Sequence, residues 1–507
     1  MSTGAADDGR GLRWAVYVVL MAVAVGQMTG RILAVNSVNV AALEDHRVKQ
    51  RLDQEREKLA GEGLADEEIA ARLAEREEEF REKLRMQRPF LSANDRSRWL
   101  AVRAIVERQT FAIDEFLGEP TWDTIDMVQH VGRDGQLHLY SSKPPLFTLL
   151  LAAEYWTVHK LTGMSLGTHP YEVGRPLVFI NNVLPMLALF LVVAAMAERL
   201  GTTDWGRIFV VAAATLGTQL NTFAVVINNH IPAAVTAAVT LYAWLRIRVD
   251  GDLRGRWFLV AGLFAALTAA NELPALAFLC AIGLALIWRH PRQTLVWFAP
   301  AALLVVTAYF ATNYVAHASL RPPYMHRSET DPADNWYDYS YEVNGRVRES
   351  YWRDPQGIDR GEPSRGDYAL HVLVGHHGVF SLTPLWLLSV AGMWFWLRRG
   401  TPAERELALL VLGLTVVCLA FYILRPQDDR NYGGMTSGLR WMFWFAPLWL
   451  ATMLPAADRA SRSKAGIAFA GVALAWSTMS ASYPNWNPWV HPWLYNWLGY
   501  WNALPGS

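Results

Sequence analysis

Residues 177–198 read LVFINNVLPMLALFLVVAAMAE, an almost unbroken apolar run that ends at Arg199. Lipid offers open backbone groups no partners, so a run of about 20 apolar residues becomes a helix that crosses ~30 Å of hydrocarbon. Working outward, similar runs recur near 12–34, 207–226, 231–248, 257–270, 273–288, 294–316, 379–397, 405–424, 441–457 and 465–482. The pattern predicts an all-α polytopic membrane protein with about eleven transmembrane helices. The two runs flanking residue 272 are short and read as a broken or re-entrant pair.

Composition agrees with the runs. The 507 residues carry 46 Lys+Arg against 46 Asp+Glu, with 52% hydrophobic and 18% charged. Such a balance excludes a basic nucleic-acid binder and an acidic disordered chain. Cys280 and Cys418 both lie inside apolar runs, which excludes a disulfide-stapled secreted domain. Residues 12–34 resemble a leader. However, Gln27-Met28-Thr29-Gly30-Arg31 offers no small-x-small cleavage site, so the segment reads as an uncleaved anchor.

Orientation follows from Lys and Arg in short loops. Arg10 and Arg13 mark the first run. Arg199 and Arg207 follow, then Arg246, Arg248, Arg254 and Arg256, then Arg289 and Arg292. Arg398, Arg399 and Arg405 come next, and last Arg459, Arg462 and Lys464. Every second loop is basic, which puts those loops and the N-terminus in the cytoplasm of a cell (inner) membrane. The chain then divides into an N-terminal span (1–34), a large extracytoplasmic loop (35–176), a multi-span domain (177–482) with an outer loop at 317–378, and an outer tail (483–507). Large outer loops favour an enzyme working on that face over a transporter.

Two segments of those loops are structural on their own terms. Residues 43–88 are dense in mixed charge, with apolar stripes Leu52 and Leu59, then Ile69, Leu73, Phe80 and Leu84, separated by Gly61 and Gly63. That reads as a helical hairpin serving as spacer, docking element or partner-binding coiled coil. In the tail, Trp489, Trp493, Trp497 and Trp501 recur every four residues and predict an interfacial helix.

The chemistry concentrates in the first outer loop. Ser92-Ala93-Asn94-Asp95-Arg96-Ser97-Arg98-Trp99 looks like a helix start. Asp95 there is either an N-cap or a general base kept ionised by the helix terminus, Arg96 and Arg98. Further on stand Asp123, Asp126 and His130, then Tyr140-Ser141-Ser142-Lys143-Pro144-Pro145 before an apolar stretch. Lys143 at that mouth either snorkels to headgroups or meets a phosphate whose lipid tail lies in the bilayer. Counting 146–162 as a span would invert every later basic loop, so it reads as a membrane-lying helix.

Asn94-Asp95-Arg96 and YSSKPP, on this multi-span layout, resemble the GT-C superfamily of glycosyltransferases, nearest the aminoarabinose transferases and protein O-mannosyltransferases. The resemblance implies inverting transfer of a sugar from a polyprenyl-phosphate donor to an envelope glycan, lipid or protein hydroxyl on the outer face. It implies Asp95 as base and Lys143 at the donor phosphate. The donor is a substrate; no other cofactor is expected. A monophosphate leaving group held by Lys and Arg calls for no metal, and no dense ligand motif is present.

Further candidates line outer boundaries. Arg440, after the glycines of Arg425–Gly434, reads either as a second phosphate ligand or as a cation snorkelling at the outer start of a span. Asn228 and His230 join two runs, Glu272 interrupts an apolar pair, and His376 precedes a span. The loop 317–378 carries Tyr324, Trp336, Tyr337, Tyr339, Tyr341, Tyr351 and Trp352, which suit a saccharide groove or a loop cap. Arg96, Asp123, Asp126 and Tyr140 complete the substrate-binding candidates. Competing readings are a lipid-linked-sugar flippase and a non-catalytic envelope scaffold.

Overall fold

A computed structural model describes residues 3–34, 40–84, 90–119, 121–328, 330–485 and 487–501. The end of the charged hairpin (85–88) and the last tail residues (502–507) lie outside them. Helices dominate. Among the described residues, five are long and apolar enough to cross a membrane: Gly9–Ala34, Pro170–Leu200, Pro291–His317, Pro402–Ile423 and Lys464–Ser482. Much of their surface is exposed and apolar, as at Leu191, Leu303, Leu304, Val416 and Val472, which suits contact with lipid.

The other six apolar segments are helical too; His230–Arg248 has 19 residues and the rest are shorter. Asp204–Leu216, at 13 residues, spans only ~20 Å. The run 207–226 is therefore not one helix: it stops at Gly217, where Asn221 Nδ2 donates to the Thr215 carbonyl at 2.6 Å. Gly255–Asn271 and Leu276–Arg289 are separated by a 3-10 turn beginning at Leu273. Leu385–Arg399 and Ala446–Ala460 are each 15 residues. Small residues let these pieces pack tightly. A Cβ on Gly392 would sit 1.8 Å from the Thr452 carbonyl oxygen, and one on Gly262 2.2 Å from that of Phe298.

Ion pairs gather the basic loops at one end of the bundle. Arg13 meets Glu198 at 2.8 Å and Asp204 at 2.9 Å. Arg199 holds Asp250, while Arg248 and Arg289 share Glu406 at 2.6 and 3.0 Å. Asp458 accepts from the Thr202 and Thr203 amides.

The expectation of an all-α chain needs one correction. Met127–Val131 pairs antiparallel with Leu137–Ser141, and Ser340–Val343 with Arg346–Glu349. The second hairpin turns at Asn344-Gly345, both left-handed as a tight hairpin requires, and the first at a longer connection in which Gly135 is left-handed. Val40–Gly61 and Asp66–Lys83 form a helical pair, tied to the second β-hairpin by Glu78–Arg346 at 2.8 Å. The tail helix covers Trp493–Tyr500, so Trp489 lies before it and packs under Arg440 instead of sharing its face.

Candidate functional site

Ser92, not Asp95, caps the helix Ala93–Arg108: its Oγ accepts the Asp95 amide at 3.0 Å. Side chains then diverge by about 100° per residue. Asn94 and Arg98, four apart on one face, point into a cavity of about 350 Å³. Asp95 points elsewhere. Its Oδ1 accepts the Ile227 amide at 3.1 Å, and it lines a separate pocket of about 20 Å³ with Phe90, Pro170 and Arg175. Burial pushes its carboxyl up to about 7, against the pull of Arg98 and the Ile227 amide. Asp95 thus faces a pocket separate from the cavity that Asn94 and Arg98 line.

The first β-hairpin supplies the opposite wall. Pairing Met127 with Ser141 sets Asp126 beside Ser142 and Lys143. Asp126 Oδ2 accepts from Lys143 Nζ at 2.5 Å and from Asn94 Nδ2 at 3.1 Å, and its Oδ1 accepts from Ser142 Oγ at 2.5 Å. Burial would raise the Asp126 carboxyl, but Lys143 and these donors hold it below the ordinary carboxylate range. For Lys143 burial prevails over the attraction of Asp126 and brings the amine down to about 8. The Asp-Gly turn between two alternating segments was the sequence signal for this wall.

The third wall comes from helix ends. His230 Nδ1 contacts Glu272 Oε1, Asn229 Nδ2 donates to the same oxygen at 2.7 Å, and His230 Nε2 lies 3.1 Å from Arg440 Nη1. Arg440 is set by the turn Tyr432-Gly433-Gly434, all at positive φ, and its Nε donates to the Gly433 carbonyl at 2.8 Å. A Cβ on Gly433 would approach that Nε to 2.8 Å. Arg425 pairs with Asp429 at 2.5 Å on the rim. Tyr324, Tyr337 and Trp352 of the long outer loop also line the cavity, with Arg327 held over the Tyr337 ring at 4.0 Å.

Charge in the cavity is uneven. Arg98, Lys143, Arg327, Arg425 and Arg440 face Asp126, Glu272 and Asp429. Among the described residues Arg98 makes no ion pair: Nη1 reaches the Ile227 carbonyl only at 3.4 Å and buried Nε has no hydrogen-bond partner. Burial brings its guanidinium down to about 10. Leu146, Phe147, Leu150, Leu273 and Phe421 form an apolar flank, and Leu150 is 55% exposed. A buried anion site beside an apolar flank fits an amphiphile with a phosphate head.

The remaining sequence candidates lie outside this lining. Arg96 binds backbone, with Nε donating to the Asp123 carbonyl at 2.6 Å and Nη1 to that of Phe90 at 2.9 Å. Tyr140 stacks on His130 at 4.1 Å, outside the cavity. Asn228 Oδ1 accepts the His230 and Ile231 amides at 2.9 and 3.0 Å, starting their helix. His376 sits with His371 and His377 in a separate cluster. Among the described residues, no three His, Cys, Asp or Glu side chains are placed to hold a metal. Asn94, Arg98, Ser142, Asn229, Arg327 and Arg425 also line the cavity without having been singled out as ligands in the sequence; the i, i+4 spacing of Asn94 and Arg98 was the available signal for two of them.

No family model and no curated protein matches the chain. The structure is similar to that of archaeal oligosaccharyltransferase AglB from Archaeoglobus fulgidus in complex with an inhibitory peptide and a dolichol-phosphate. Identity is 12% and TM-score 0.40, covering 83% of this chain and 55% of that one. The apo form of the Archaeoglobus fulgidus oligosaccharyltransferase matches at 13% identity and TM-score 0.40, covering 81% and 54%. This chain thus spans about half the length of those enzymes. The likeness is loose.

Proposed function

We propose that the protein is a GT-C-like glycosyltransferase using a polyprenyl-phosphate sugar as donor and a hydroxyl of an envelope glycan, lipid or protein as acceptor. One observation carries this reading: Arg98, Lys143 and Arg440 converge in one cavity beside an exposed apolar flank. Eleven crossings, cytoplasmic basic ends and a membrane-lying Pro145–Thr162 would place that cavity at the outer surface of the inner membrane. The donor phosphate contacts the three cations while its prenyl chain follows Leu146, Phe147 and Leu150.

Transfer then needs a proton acceptor and a stabilised leaving group. The acceptor oxygen attacks the anomeric carbon as the bond to the donor phosphate oxygen breaks, with inversion. The cations take up the charge that grows on the departing polyprenyl phosphate. In this reading Asp126, which lies in the cavity against Lys143, receives the hydroxyl proton once the donor phosphate takes its place at Lys143.

The test is consumption of polyprenyl-phosphate sugar by purified protein in detergent, with envelope extract as acceptor. Release of polyprenyl phosphate with labelled acceptor supports the reading. Binding without consumption, and movement of the lipid only across reconstituted vesicles, would favour the flippase.

A further inference from the structure

Glu272 is 5% exposed at a helix break between two apolar helices. A carboxylate placed there is costly unless neighbours satisfy it. Two side chains do, Asn229 Nδ2 at 2.7 Å and His230 Nδ1. On the far side of the same imidazole, Nε2 faces Arg440 Nη1 at 3.1 Å. A guanidinium has no acceptor, so Nε2 must accept. The ring proton is then on Nδ1, and Glu272 must receive it. Three residues from three separate segments thus fix one tautomer and one direction of donation, from Arg440 through His230 to Glu272.

Arg440 is held twice, at Nη1 by His230 and at Nε by the Gly433 carbonyl at 2.8 Å. Its Nη2 has no hydrogen-bond partner among the described residues, and the side chain lines the cavity. A long arginine otherwise loses rotamer freedom when it binds an anion; one already clamped does not. We infer that Glu272 is a positioning residue, which through His230 holds the Arg440 guanidinium in place for a lipid-linked phosphate instead of touching the sugar itself. The inference rests on the reading that a donor phosphate occupies this cavity. It also accounts for His230, which the transfer step does not otherwise use.

The probe is polyprenyl monophosphate without sugar, and the readout its Kd for the full chain in detergent, with melting temperature recorded alongside. Glu272→Leu and His230→Ala should each weaken binding about tenfold or more, and the double variant should lose no more than the worse single, because both act on one route. Glu272→Gln, whose amide oxygen still accepts from His230, should stay within about threefold of wild type. In an Arg440→Ala background, His230→Ala should change nothing further. Wild-type affinity in His230→Ala, or losses that multiply in the double variant, would overturn the inference while leaving donor binding intact. His230→Ala decides alone where Glu272→Leu fails to fold. Failure of wild type to bind the probe overturns both the inference and the proposed function.

Discussion

Asp95 Oδ1 accepts the Ile227 amide at 3.1 Å across 132 residues of chain. The bond joins the start of the helix Ala93–Arg108 to the turn before His230, and Arg98 of that helix lines the same cavity as His230 and Arg440. Loss of the acceptor leaves a buried amide unpaired. Asp95→Ala should therefore destabilise by about 1–3 kcal/mol, whereas Asp95→Asn, which retains an oxygen there, should fold and turn over within about tenfold of wild type. Melting temperature and sugar transfer in detergent check both; a stable Asp95→Asn that loses turnover 100-fold would return the base role to Asp95.

The same carboxyl makes stability depend on pH. Burial raises it from the ordinary 3.8 to about 7. A raised group binds its proton more tightly when folded, so its favourable contribution is complete below about pH 4 and lost as pH climbs through about 7. Between those values wild type should lose melting temperature relative to Asp95→Asn, which does not titrate. Parallel curves for the two proteins would contradict the burial.

Lys143 and Asp126 separate stability from binding. Lys143→Ala strands a buried carboxylate and should cost roughly 3–5 kcal/mol, as breaking one side of a buried pair does. Lys143→Ala with Asp126→Asn should recover stability but not phosphate affinity. Because burial brings Lys143 down to about 8, wild-type affinity for polyprenyl phosphate should fall as pH rises past about 8. Lys143→Arg stays charged and should hold its affinity to about pH 10; an identical decline there would assign the titration to another group.

Arg98 makes no ion pair among the described residues, although it supports the Asp95 and Asp126 carboxylates at longer range. Arg98→Ala should weaken phosphate binding by about 1.5–3 kcal/mol, the scale of a charge-assisted hydrogen bond, with a smaller loss of melting temperature than Lys143→Ala. Calorimetry and a thermal scan on the same preparation test it; a large thermal loss with intact binding would make Arg98 structural.

Sidedness can be read by labelling. Leu253 and Val347 are 42% and 75% exposed, on loops assigned to opposite faces. In a Cys280→Ser background, an impermeant thiol reagent on intact cells should label Val347→Cys and spare Leu253→Cys. The reverse would move the cavity to the cytoplasmic side.

What the sequence determined is whatever depends on run length and local charge. Apolar stretches such as 177–198 can only be satisfied as helices in lipid, and alternating basic loops group their ends, as Arg13–Glu198 and Arg248–Glu406 do. Lys143 and Arg440 were legible because a cation at an apolar boundary is unusual wherever the chain goes. Tertiary structure decided direction and partnership. A helix turns about 100° per residue, so Asn94 and Asp95 are adjacent in sequence yet line different pockets. Pairing of Asp126 with Lys143 required a hairpin register, and Arg440 acquired His230 and Glu272 only when three helix ends met. Such contacts depend on the relative placement of segments hundreds of residues apart, which no local spacing encodes.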